Sequence, residues 1–181
     1  MSTIQVLVLI GSDSDAPVMQ AAVDLLEKLG IRSEMTVASA HRSPRRLARL
    51  VEQAPSRGVQ LFIVGAGAAA HLAGVVAAHS VKPVIGVPID SSALKGLDAL
   101  LSTVQMPPGV PVATVSIGRA GAVNAGVLAA QILGVSDPAI ARRLETYKKS
   151  LEDQVERAAA GLTSGARDQA SVPSSASSKA F

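Results

Sequence analysis

An α/β three-layer sandwich is the fold the sequence predicts, with a parallel, five-stranded, flavodoxin-like sheet of order 2-1-3-4-5 and one further C-terminal helix. Three observations carry that prediction. Continuous apolar runs of strand length recur along the chain, stretches with helical spacing separate them, and turns rich in Gly, Ser and Asp mark the joins. A strand covered on both faces reads as an unbroken apolar run, and helices between successive strands impose right-handed crossovers and hence a parallel sheet. With 181 residues, 48% of them hydrophobic, the chain has material for one domain with a substantial core, expected over residues 1–160.

The elements follow in order. IQVLVLI at 4–10 is the first strand and GSDSDAP the turn after it. Val18, Met19, Ala22, Leu25, Leu26 and Leu29 recur at helical spacing, and Gly30 is placed to end that helix. IRSEMTVAS at 31–39 alternates as a second strand. In ASAHRSPRRL at 38–47, Ser43 as N-cap and Pro44 at the first helical position signal a helix continued by Leu47, Leu50, Val51 and Ala54. VQLFIVG at 59–65 is the third strand, GAGAAAH leads into a short helix ending near Ser80, and PVIGVP is the fourth strand. GLDALLSTV is a short helix, VPVATVSI the fifth strand, and RAGAVNAGVLAAQIL a helix of small residues. Asp137-Pro138 opens the last helix, and from 161 to 181 six serines and low hydrophobicity predict a disordered tail.

Composition removes several function classes. The absence of cysteine excludes thiolate nucleophiles and Cys-ligated metals, and three scattered histidines show no metal-ligand spacing, so no metal is expected. A net charge of +3 with 2% aromatic residues offers few platforms for stacked bases, which argues against nucleic acid as a partner. No run of 18 apolar residues appears, and MSTIQVLVLIGSDSD lacks a basic leader, so a cytoplasmic protein with no membrane partner is expected.

In a doubly wound sheet, ligands bind outside the carboxyl ends of the strands. That rule gathers GSDSD at 11–15, SAHRSP at 39–44, GAGAAAH at 65–71 and the segment after VPID at 87–90 on one edge. Ser12, Ser14 and Asp15 could serve as helix caps or as ligands for an anion at a helix N-terminus. His41 and Arg42 are either solvated loop residues at a helix entry or functional residues, and their place on this edge favours function. GAGAAA satisfies the G-x-G-x-x-A dinucleotide pattern, with Asp90 about twenty residues beyond it as a ribose-binding acid, so a dinucleotide-binding oxidoreductase is a rival reading. The first loop lacks the Lys of a P-loop, which disfavours nucleoside triphosphates. His71 could cap, pack or reach the pocket, and His79 reads as a residue of a helix C-terminus.

GSDSD, SAHRSP, GAGAAAHLAG, KPVIGVPI and GLDALLSTVQMPPGVPVATVSIGRAGAVNAGVLAAQIL together resemble the 5-(carboxyamino)imidazole ribonucleotide mutase family of bacterial purine biosynthesis, over about residues 4–147. The resemblance implies an isomerase that moves a carboxylate from the exocyclic nitrogen of an aminoimidazole ribonucleotide to ring carbon C4, with no ATP, metal or organic cofactor. It implies that Ser12, Asp15 and Arg42 bind the ribotide, that His41 is the acid and base, and that Ser39, Gly67, Ala68, His71 and Leu72 complete the substrate pocket. One histidine suits both proton steps because a group titrating near neutrality can give a proton to the departing nitrogen and take one from C4.

The chain departs from the family pattern at several places. Ala68, Ala73 and Val75 replace a Gly, a Pro and a Met, Ala16 replaces an aromatic residue after GSDSD, and Arg45 stands where an acid is usual. These departures keep a non-catalytic ribotide-binding paralogue in play. A direct carboxylase using dissolved carbon dioxide is a further alternative, against which the presence of His71 counts. The resemblance implies a homo-octamer with active sites at subunit contacts. The helix at 119–133 and the stripe Ile140, Leu144, Tyr147, Leu151 and Val155 supply apolar surface for a neighbour or for the chain's own core.

Overall fold

The computed structural model describes residues 3–170. Five parallel strands, β1 (Val6–Ile10), β2 (Ser33–Val37), β3 (Leu61–Gly67), β4 (Val84–Ile89) and β5 (Ala113–Thr114), form one sheet of order β2-β1-β3-β4-β5, as predicted. Six α-helices alternate with and follow them: α1 (Ala16–Lys28), α2 (Pro44–Gln53), α3 (Leu72–His79), α4 (Leu97–Val104), α5 (Gly118–Gly134) and α6 (Pro138–Ala170). Short 3₁₀ turns at Asp13–Asp15 and Pro55–Arg57 precede α1 and follow α2.

The period-2 alternation of strands sorts the core into two layers. Leu7 and Leu9 of β1 align with Phe62 and Val64 of β3, and these side chains share one cluster with Leu47 and Val51 of α2, Leu72 and Val76 of α3 and Ala99 of α4. On the opposite face α1 packs on α5, which also lies against β3 and β4. Small residues set that spacing: a Cβ on Gly65 would press on Met19 of α1, and one on Gly126 of α5 would meet Leu25 of α1. The buried set of α5, from Gly121 and Ala122 through Ala129 to Leu133, is therefore accounted for largely by packing within the chain.

Two elements differ from the sequence reading. VPVATVSI contributes only Ala113 and Thr114 to the ladder, because an edge strand interrupted by Pro111 cannot pair along its whole length. Helix α6 opens at Asp137, whose Oδ1 accepts from the N–H groups of Ala139 and Ile140, and it continues to Ala170 without a break at 160. The chain divides into two compact units at Leu144/Glu145. In the first, Ile140 and Leu144 are buried and Arg143 donates to the carbonyl of Leu29; in the second, Leu151 and Val155 are exposed. The tail predicted over 161–181 falls outside the described residues from 171 onward.

Candidate active site

The four loops foreseen at the carboxyl edge of the sheet surround a cavity of about 280 Å³. Gly11, Ser12, Ser14 and Asp15 come from the loop after β1, and Ser39, Ala40, His41 and Arg42 from the loop after β2. Ala66, Gly67, Ala69 and Leu72 come from β3 and the turn before α3, and Ser91 from the loop after β4.

The loop after β1 is tied to itself. Asp15 is buried, and its carboxylate accepts the Ser12 N–H at 3.0 Å. Burial pushes the Asp15 carboxyl above its ordinary value and the neighbouring Asp13 charge adds to the rise, while the Ser12 N–H, Arg42 and the Gly11 N–H oppose it. Exposed Asp13 moves the other way, held below the usual carboxylate range by the Ser12 hydroxyl and the Ser14 N–H.

The loop after β2 is organised by two serines. Ser43 stands at the N-cap of α2 as predicted, but its hydroxyl does not cap: it accepts the Ser39 N–H at 3.1 Å and donates to the Ser39 carbonyl at 3.2 Å. The Ser39 hydroxyl in turn accepts the Arg42 N–H at 3.1 Å. The guanidinium of Arg42 donates to the Gly11 carbonyl at 3.1 Å, which locks this loop to the first and leaves further N–H groups of the fork for a ligand.

The turn after β3 is built differently. Gly67 belongs to the strand, and a Cβ there would fall on the Ser91 side chain, so glycine leaves room for that side chain beside the strand. Ala68 has φ of +51°, a left-handed conformation that costs an alanine roughly 1 kcal/mol. Ala70 and His71 donate their N–H groups to the carbonyls of Ala68 and Ala69, two successive tight turns before α3 opens. Helix α3 thus starts beyond the GAGAAA stretch, which removes the strand–glycine–helix junction that the dinucleotide pattern requires, and Asp90 lies exposed outside the cavity lining.

His71 closes the site. Its Nδ1 lies 2.9 Å from Nε2 of His41, with the two rings edge to face at 84° and their centroids 5.0 Å apart. One nitrogen must donate and the other accept, so the contact fixes complementary tautomers or holds one imidazolium against a neutral ring.

Of the candidate residues named from the sequence, Ser12, Asp15, Ser39, His41, Arg42, Gly67 and Leu72 line the cavity. Ala68 and His71 sit on its rim loop, and His71 joins the site through His41. Sequence reasoning did not single out Gly11, Ala40, Ala66, Ala69 and Ser91; the position of Ser91 one residue after VPID was the signal that could have found it, because β4 ends there. Among the described residues no group of three His, Asp or Glu side chains is placed to hold a metal ion, and no helix is long and apolar enough to cross a membrane.

Comparison with known proteins gives the family. The chain is 52% identical over 148 residues to an N5-carboxyaminoimidazole ribonucleotide mutase of Thermotoga maritima, covering 82% of this chain and 85% of that protein. It is 51% identical over 148 residues to the mutase of the same name from Bacillus subtilis, covering 82% and 91%. The crystal structure of Treponema denticola PurE superposes with a TM-score of 0.79 at 27% identity, covering 87% of this chain and 98% of that one. The family model described as AIR carboxylase matches residues 5–154, and the chain belongs to that family.

Proposed function

We propose that the protein is a mutase of purine biosynthesis that converts 5-(carboxyamino)imidazole ribonucleotide to 5-amino-4-imidazolecarboxylate ribonucleotide. The observation that carries this reading is the placement of His41 on a cavity beside Arg42, with its Nε2 held 2.9 Å from His71. His41 is the acid and base. In the first half of the reaction the carbamate C–N bond breaks, its electron pair stays on nitrogen, and that nitrogen takes the His41 proton. In the second half C4 attacks the freed carbon dioxide and then returns its own proton to His41, so the balance needs neither oxidant nor nucleotide. Contact with His71 holds the His41 ring in one orientation across both transfers.

Arg42 supplies a charge-assisted bond to the ribotide phosphate, and Ser12, Asp15 and Ser39 hold the ribose and phosphate on the same side. Gly67, Ala68, Ala69 and Leu72 frame the space where the base and the carboxyl group fit. The reading calls for no cofactor and places the enzyme in the cytoplasm. A self-assembled state, the octamer of the family resemblance, is supported by an exposed apolar stripe at Leu94, Leu97, Leu101 and Val104, and sedimentation of the purified protein tests it.

The function is tested by supplying the purified full chain with the carboxyamino ribotide and following the C4-carboxylated product. Product formation well above the spontaneous background is expected. Ribotide binding without turnover would favour the non-catalytic paralogue, and a thermal shift with a nicotinamide or flavin nucleotide would favour the oxidoreductase.

A further inference from the structure

The cavity's two sides carry different chemistry, and one side chain on the plainer side has no role yet. The side built by the loops after β1 and β2 holds Arg42 and a set of serines suited to phosphate and ribose. The side built by the loops after β3 and β4 presents Gly67, Ala69 and Leu72, which offer no side-chain donor, together with Ser91. The Ser91 side chain lies directly against the bare Cα of Gly67, and its hydroxyl makes no hydrogen bond within the described residues. Ser91 is exposed on the cavity side, so its hydroxyl is open to water or to a ligand, and its place over the bare Cα of Gly67 sets where that hydroxyl stands.

We propose that Ser91 is a further binding residue, whose hydroxyl donates to the carboxyl group in transit and keeps it in the cavity between its release from nitrogen and its capture by C4. This rests on the mutase reading. The phosphate goes to the cationic side, so the imidazole and its carboxyl group face Gly67, Ala69, Leu72 and Ser91. A neutral hydroxyl suits the migrating group better than a cation would. It can hold a carboxylate oxygen before the C–N bond breaks and after the C–C bond forms, and in between a weak contact slows the escape of carbon dioxide without holding it back from C4. Ser91 itself forms and breaks no covalent bond.

The experiment supplies the carboxyamino ribotide to the full chain in buffer containing ¹³C-bicarbonate, and reads both the rate and the ¹³C content of the C4-carboxylated product. Ser91→Ala should lower kcat about tenfold, the loss expected for one hydrogen bond to a charged group, and raise label incorporation severalfold as carbon dioxide escapes and exchanges. Ser91→Cys, with the same branching but a larger atom and a weak donor, should move both quantities the same way, and the melting temperatures of both variants should stay within a few degrees of wild type. A rate within twofold of wild type, or a lower rate with label unchanged, overturns the proposal. If the wild type itself turns over the ribotide no faster than its spontaneous decay, it is the mutase reading that fails, and that control is read before any variant.

Discussion

The two halves of the cavity are made by opposite means. Around Ser12, Asp15, Ser39, Arg42 and Ser43 every side chain is engaged: Asp15 with the Ser12 N–H, Ser43 with both backbone groups of Ser39, Ser39 with Arg42, and Arg42 with Gly11. Around Gly67, Ala68, Ala69 and Ala70 there is almost nothing to engage, and the turn is shaped by backbone hydrogen bonds and one left-handed alanine. The first half is preorganised for charge, where loose donors would have to reorder on binding. In the proposed reaction the second half keeps space for a small group to change its point of attachment. The His41–His71 contact is a side-chain hydrogen bond that joins them, and so the proposed proton carrier, His41, sits on the seam.

The largest way to break this arrangement is to remove the carrier. His41→Asn should lower turnover by about two to four orders of magnitude with ribotide affinity nearly kept, because an imidazole asked to move protons supplies little binding energy. Turnover within tenfold of wild type would remove the role. Arg42→Ala, on the charged half, should weaken ribotide binding by about tenfold to a hundredfold with less effect on folding, and calorimetry on the two proteins checks it.

Asp15 sharpens the comparison through stability. Folding raises its pKa above the ordinary value of 3.8, so the native state holds the Asp15 proton to higher pH than the unfolded chain does. Its contribution is therefore fully present below 3.8 and is lost as pH rises through the raised folded value. Asp15→Asn, which can still accept the Ser12 N–H, should lack this loss and melt higher than wild type at neutral pH while binding ribotide less well. Melting curves of both proteins across pH decide it, and a variant less stable at pH 7 contradicts it. On the plain half, Ala68→Gly should give the smallest effect, a gain of about 1 kcal/mol at most from relief of the left-handed alanine, partly offset by the freedom of glycine when unfolded. A melting temperature raised by a few degrees is expected.

How legible each half was in the sequence follows from the same contrast. GSDSD and SAHRSP carry residue types with restricted uses, and topology placed both at the carboxyl edge, so Ser12, Asp15, His41 and Arg42 could be gathered before any coordinates. The apolar runs likewise specified the strand order, because doubly covered strands leave few other solutions. What stayed hidden depends on backbone geometry or on contacts between distant residues. Ala68 does not announce a positive φ as glycine would. Ser43 looked like a cap, and only the fold shows its hydroxyl turned back to Ser39. The His41–His71 contact spans thirty positions, and Ser91 in DSSALKG has no pattern of its own until β3 and β4 are side by side. Pro111 was visible, but how far it would shorten β5 depended on the edge position of that strand.

The central claim of the proposed function is that the carboxyl group leaves nitrogen and rejoins at C4 within one bound molecule, before it escapes the cavity. It is tested most directly by supplying two substrates separately to the purified protein: the carboxyamino ribotide, and aminoimidazole ribonucleotide with bicarbonate. The account predicts that the carboxyamino ribotide is converted much faster at low bicarbonate, and that the free amine yields C4-carboxylated product only as bicarbonate is raised. Efficient product formation from the free amine at low bicarbonate, with the carboxyamino ribotide consumed no faster than its spontaneous decay, would contradict it.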